Sequence, residues 1–255
     1  MAAPPARPLI LGHRGAPAEA PENTLASFRR AAELGADGIE LDVQRSADGR
    51  LPLIHDARVE RTTDGHGRVG ELPWATLAAL DAGDGERIPT LDDLLAFAAG
   101  RPSFFLNLEL KMPGVGPDVL DALARAGYRG PLALSSFDYP TLEEVRRRDA
   151  AIELWLLSGR WDDGLLRRAR AIGAAHLALE HRLIDPEVAA RAAAAGLGLV
   201  AWTADAPADL RRLLAIEPVP HAIISNRPDV ALAERAAREA APAAGRRAAQ
   251  DPNRV

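Results

Sequence analysis

Eight short apolar runs alternate with eight amphipathic segments along this chain, and few folds accommodate that order. The runs fall at 9–12, 38–43, 104–110, 132–135, 153–157, 176–179, 198–202 and 222–225. Most are too short for a stable helix and sit between Gly, Pro and Asp breakers, as buried parallel strands do. Between them, the segments 24–34, 91–99, 117–126, 141–148, 162–172, 186–195, 208–216 and 228–237 carry helical patterning. Eight strand–helix units predict an α/β chain closed into a (β/α)8 TIM barrel, for which 255 residues is a usual length. An open doubly wound sheet commonly has fewer strands, and no Gly-rich dinucleotide fingerprint is present.

Local chemistry agrees with these boundaries. Asn23, Thr90 and Asp185 are expected helix N-caps, and Pro117, Pro186 and Pro228 suit a first turn that needs no N–H donor. Gly35, Gly100, Gly127, Gly173 and Gly196 follow the helices, where a left-handed residue is cheapest as glycine.

Two stretches break the regularity. Between the second and third strands the chain runs far longer than a usual connection, with an apolar run at 51–54 and a Gly-rich piece at 62–68. The reading is a short hairpin extension of the second strand followed by a small insertion at about 56–90, on the catalytic face. The other is the tail 240–255, rich in Ala, Arg and Pro and expected to be disordered. Residues 8–239 then form a single catalytic domain.

Composition excludes several chemistries. The absence of cysteine removes disulfides, thiolate zinc sites and a cysteine nucleophile. A net charge of −5 offers no general attraction for nucleic acid or an anionic membrane. The N-terminal residues hold several prolines, and the run Leu9-Ile10-Leu11 is cut short by His13 and Arg14. That run is below the apolar length of a secretory signal or a spanning helix. A cytoplasmic protein without stable membrane insertion is expected.

A barrel of this type works at the C-terminal ends of its strands, and there the first three units are crowded with charge. The first strand ends in Gly12-His13-Arg14-Gly15; the second carries Glu40-Leu41-Asp42, its extension ends in His55-Asp56, and the third ends in Glu109-Leu110-Lys111. Glu40 and Asp42 are two apart on a strand, so both face one side, about 6.6 Å apart along it. Two interior carboxylates repel each other and lose hydration; a cation resolves both costs. With Glu109 they make an oxygen-rich set suited to one divalent cation, Mg2+ or Ca2+, rather than zinc. The bland alternative is a salt-bridge network that only fixes packing, but three acids against Lys111 leave excess negative charge.

His13 and His55 flank the acids and suit a general acid/base pair near neutral pH, with metal ligation as the lesser role. Arg14 and Lys111, the chain's single lysine, add positive charge appropriate to a phosphate. Phe137 and Trp202 at later strand ends could bed the alcohol part of a substrate or simply plug the barrel. Asn23 is accounted for as a cap, with Glu22 able to steady Arg14. His66, His176, His181 and His221 read as surface or structural residues.

These residues, in this order, resemble the glycerophosphodiester phosphodiesterase family. The likeness runs from His13-Arg14-Gly15 and Pro21-Glu22-Asn23-Thr24 through the stretch ending Glu40-Leu41-Asp42-Val43, Asp48-Gly49 and His55-Asp56. It continues through Arg61-Thr62-Thr63-Asp64-Gly65, Ile88-Pro89-Thr90-Leu91, Glu109-Leu110-Lys111, Ser136-Phe137 and Trp202-Thr203, covering about residues 8–235. The resemblance implies a metal-dependent barrel that hydrolyses small-molecule diesters such as glycerophosphocholine or glycerophosphoethanolamine to sn-glycerol 3-phosphate and an alcohol. By motif, Glu40, Asp42 and Glu109 would hold the cation, His13 and His55 would be the acid/base pair, and Arg14 and Lys111 would hold the phosphate. Two positions depart from the family's habit: Asp205, where asparagine is usual, and Asn226, where aspartate is usual. Two other readings stand beside this one, a related barrel phospholipase D acting on lysophospholipids and a catalytically silent phosphate- or metal-binding barrel. The sequence does not specify an oligomeric state.

Overall fold

In the computed structural model, which describes residues 7–241, the predicted alternation closes on itself. Parallel strands β1 (Leu9–His13), β2 (Gly38–Val43), β3 (Phe105–Leu110), β4 (Leu132–Ser136), β5 (Glu153–Ser158), β6 (His176–Glu180), β7 (Gly198–Trp202) and β8 (Ala222–Ser225) pair in chain order, and β8 returns to β1. Helices α1 (Leu25–Glu33), α2 (Trp74–Leu77), α3 (Leu91–Ala99), α4 (Val115–Ala126), α5 (Tyr139–Arg148), α6 (Asp163–Ala171), α7 (Pro186–Ala194), α8 (Pro207–Ala215) and α9 (Pro228–Ala240) complete the chain. All but the short α2 form the outer ring expected of a (β/α)8 barrel.

Strand alternation divides the apolar residues into two cores. Outward-facing Ile10, Ile39, Leu41, Leu106, Leu108, Leu154 and their kin pack under the helices. Inward-facing Leu11, Phe105, Trp155, Leu157, Val200 and Ile224 fill the barrel, where the rings of Phe105 and Trp155 stack at 5.4 Å. A filled lumen leaves only the two ends free for chemistry.

Most local expectations hold. Thr90 and Asp185 cap α3 and α7, and Thr90 forms a reciprocal capping box with Asp93. Three differ. Thr24, not Asn23, caps α1 by accepting from Ser27 N, because Asn23 sits in a left-handed conformation with its amide turned toward Asp42. Gly100 ends α3 at φ −82°, so it does not act as a left-handed cap. Helix α9 continues to Ala240 with Ala241 as its C-cap, and residues 242–255 of the predicted tail lie outside the described residues.

The stretch after β2 returns against it through isolated antiparallel bridges, Val43 with Leu53 and Pro52 with Thr90, rather than a full hairpin. The insertion beyond has its own small core of Ile54, Val59, Val69, Leu77, Ala82 and Ile88. Gln44, buried just past β2, donates its amide to the carbonyls of Ile54, His55 and Asp56 at 3.0, 3.0 and 2.6 Å. That clamp fixes the segment carrying His55.

Among the remaining histidines, His66 is exposed as expected and His181 is buried near Asp209 and Arg212. His176 and His221 stack at 4.0 Å beside Glu153 at the opposite, N-terminal end of the barrel. Burial and the neighbouring His176 pull the His221 ring down to about 4.

Candidate active site

Strand register assembles the site before any side chain is considered. In the β1–β2 pairing His13 lies beside Glu40, and in β2–β3 Asp42 lies beside Glu109. Ligand atoms of Glu40, Asp42 and Glu109 fall within 4.8 Å of one another, and all three residues are buried. The turn after β1 needs Gly15, at φ +96°: a Cβ there would meet the Ser27 hydroxyl at 2.3 Å. That turn leaves Arg14 left-handed, with its N–H donating to the Glu40 carbonyl at 2.7 Å and its side chain directed at the acids.

The electrostatics are those of a site short of positive charge. Burial, then the neighbouring Asp42 and Glu109 charges, raises the Glu40 carboxyl well above the carboxylate range. Burial and Asp42 push Glu109 up to about 7 although Lys111 opposes them. Burial alone would lower the Lys111 ammonium; Glu109 and Asp42, at 2.7 and 3.5 Å, raise it instead. Asp42 receives Asn23 Nδ2 on Oδ2 at 2.9 Å, but its Oδ1 is buried without a hydrogen-bond partner. A buried carboxylate oxygen with no hydrogen bond, its Lys111 contact a long 3.5 Å, among two acids that resist ionisation is what a divalent cation would relieve. The donor set, all oxygen, fits Mg2+ or Ca2+.

Each histidine is held by its Nδ1. For His13 the partner is Asn226 Oδ1 at 2.7 Å; the Asn226 amide is itself oriented by Nδ2 donating to Asp205 Oδ2 at 2.7 Å. Oδ1 is thereby the atom facing the ring, so His13 Nδ1 carries the proton and Nε2 is bare, 3.9 Å from Glu40 Oε2. Burial and Arg14 lower the His13 ring below the usual histidine range. For His55 the partner is the Asp56 carboxylate at 2.5 Å. Asp56 is tied through Arg61 to Glu22, and Glu22 to Arg14 at 2.7 Å, which joins the two halves of the site. Burial would raise Glu22, but Arg61 and Arg14 bring it down to about 2.

His13, Arg14, Glu40, His55, Glu109, Phe137 and Trp202 line one cavity of about 200 Å3 at the C-terminal mouth. Phe137 and Trp202 meet edge-on at 5.5 Å and form one wall. Asp42 lies beneath it, fully buried, and Lys111 sits beside the acids rather than in the lining. The sequence reading did not anticipate Asn23 on Asp42, Asn226 with Asp205 behind His13, or Gln44 and Arg61 behind His55. The two departures at Asp205 and Asn226 were the available signal: an exchanged acid and amide point to a pair in contact.

Comparison with known proteins identifies the family. The profile of the glycerophosphoryl diester phosphodiesterase family matches residues 13–230. A glycerophosphodiester phosphodiesterase of Caldanaerobacter subterraneus is 34% identical over 227 residues, covering 81% of this chain and 89% of that protein. The crystal structure of an Oleispira antarctica phosphodiesterase in complex with its product sn-glycerol-3-phosphate superposes with a TM-score of 0.83 at 29% identity, covering 89% of this chain and 96% of that one. A glycerophosphodiester phosphodiesterase of Agrobacterium tumefaciens superposes with a TM-score of 0.77 at 28% identity, covering 89% and 99% of the two chains. The protein belongs to the glycerophosphoryl diester phosphodiesterase family.

Proposed function

We propose that this phosphodiesterase cleaves glycerophosphodiesters to sn-glycerol 3-phosphate and an alcohol, with His13 as general base, His55 as general acid and a divalent cation held by Glu40, Asp42 and Glu109. The observation that carries the reading is the buried carboxylate triad, opening into the cavity that both histidines line. When bound, the cation withdraws electron density from the phosphoryl oxygens as charge builds on them. Arg14, which lines the cavity, holds a non-bridging phosphate oxygen, and Lys111 balances the acids from beside them.

The two histidines divide their work by their partners. His13 bonds to a neutral amide through Nδ1–H, so its bare Nε2 accepts the proton of the attacking hydroxyl. That hydroxyl is either water's, which gives sn-glycerol 3-phosphate directly, or that of the glycerol C2, which gives a cyclic phosphate that water then opens. His55 bonds to a carboxylate, which complements a positive ring, and its Nε2–H is delivered to the departing alkoxide. Phe137 and Trp202 flank the organic part of the substrate. A lysophospholipid substrate is not favoured. Phe137 is the one large apolar side chain exposed among the described residues, and the insertion consumes its own apolar residues in its core.

The test is release of sn-glycerol 3-phosphate from glycerophosphoglycerol, whose alcohol is uncharged. Activity should vanish on EDTA treatment and return with Mg2+ or Ca2+; turnover indifferent to chelation would overturn the reading. His13→Ala should lower kcat by about 10²–10⁴-fold.

A further inference from the structure

We propose that the alcohol half of the diester occupies a second cavity on the catalytic face, and that two arginines there select alcohols bearing additional negative charge. The inference rests on the phosphodiesterase reading and adds to it the class of headgroup. This cavity, of about 250 Å3, opens between the β4–α5 and β5–α6 loops. Phe137 and Leu157 wall both it and the catalytic cavity, so the two adjoin. The phosphorus must sit among the acids and imidazoles, and the alcohol has to extend from there. Toward Glu22, Asn23 and His55 the neighbouring space is about 10 Å3, no more than a water needs. The cavity beyond Phe137 has room for a polyol or an amino alcohol.

Its lining decides which alcohol is welcome. Arg160 and Arg168 line it together with Tyr139 and Ser158, and no carboxylate does so among the described residues. Neither guanidinium is ion-paired among the described residues, and the nearby Asp162 spends its Oδ1 on capping α6 through Leu165 N at 2.7 Å. Two planar forks without an ion pair among the described residues match the oxygens of a phosphate or carboxylate. They repel the cationic ammonium of a choline or ethanolamine.

The discriminating experiment compares kcat/KM of the Mg2+-loaded enzyme on glycerophosphoinositol 4-phosphate and on glycerophosphocholine at low ionic strength. Two partly exposed charge contacts predict a preference of about fivefold to tenfold for the anionic headgroup, shrinking in high salt. The double substitution Arg160→Ala/Arg168→Ala should bring the ratio to near one, with circular dichroism checking the fold. The single substitutions Arg160→Gln and Arg168→Gln should each remove part of the preference if the double variant fails to fold. Equal or faster cleavage of glycerophosphocholine by the parent overturns the selection and leaves the phosphodiesterase reading intact. A preference that survives loss of both arginines overturns the assignment to this cavity. Failure to cleave either diester or glycerophosphoglycerol sinks both readings.

Discussion

A histidine that abstracts a proton must be neutral, correctly tautomeric and immobile, and for His13, the proposed base, these demands fall on residues far away in the chain. Asp205 accepts from Asn226 N, Asn226 Nδ2 and the Ser225 hydroxyl at 2.7, 2.7 and 2.9 Å, so the amide cannot turn over without breaking a charge-assisted bond. Asp205→Ala should therefore lower kcat by about tenfold or more while leaving KM nearly unchanged, the size expected for a residue that orients another. The exchanged pair, Asp205→Asn with Asn226→Asp, sets a carboxylate directly against His13 Nδ1 and should recover activity; steady-state kinetics on the parent and the two variants reads this out. A purely structural role for Asp205 would not be rescued that way. The acids and His13 were legible as candidates because each stands on one of the first three strands in a short motif, whereas His55 lies on the segment that returns after β2 through isolated bridges. Asn23 was misread as a cap because its amide finds Asp42, a contact made only after β1 and β2 pair.

The elements themselves were legible for a related reason. A parallel strand buried on both faces is a continuous apolar run, and the Gly and Pro residues around it mark where it stops. The insertion was harder, since its order comes from side chains gripping backbone rather than from periodicity. Gln44 shows this: one amide bonds three successive carbonyls and so holds the end of the returning segment against β2. Gln44→Ala leaves those groups to solvent or to one another and frees His55 to drift. Misplacement of a catalytic group by an ångström is costly in rate, so with His55 in its proposed role as general acid kcat should fall by about tenfold or more. Thermal unfolding, which reports mainly on the large barrel cores, should change far less. A variant with normal kcat would show that the small insertion core alone positions His55.

At the scale of the molecule, closing the barrel brings the last helix to the first strand and separates chemistry from scaffolding. Buried Arg235 on α9 donates to the Pro8 carbonyl at 2.9 Å and pairs with Asp37, which in turn accepts from Ile10 N at 2.8 Å. It thus ties the last helix to the first strand. Arg235→Ala leaves the largely buried Asp37 with the more exposed Arg7, 3.7 Å away, as its remaining cationic partner, and equilibrium unfolding should show a loss of about 2 kcal/mol. The far floor of the barrel contributes to acid sensitivity. His221 titrates at about 4 in the folded chain against 6.5 in the unfolded one. Above pH 6.5 the ring is neutral in both states and contributes no slope. Between 6.5 and 4 the unfolded chain takes up a proton that the folded chain refuses, so stability falls as pH falls, by at most about 1.4 kcal/mol per pH unit. His221→Gln removes that proton from the balance. Its melting temperature should decline less steeply than the parent's between pH 6.5 and 4.5, whatever its starting value at neutral pH. Parallel declines in the two proteins would mean that the stacked imidazoles at the floor do not govern acid stability.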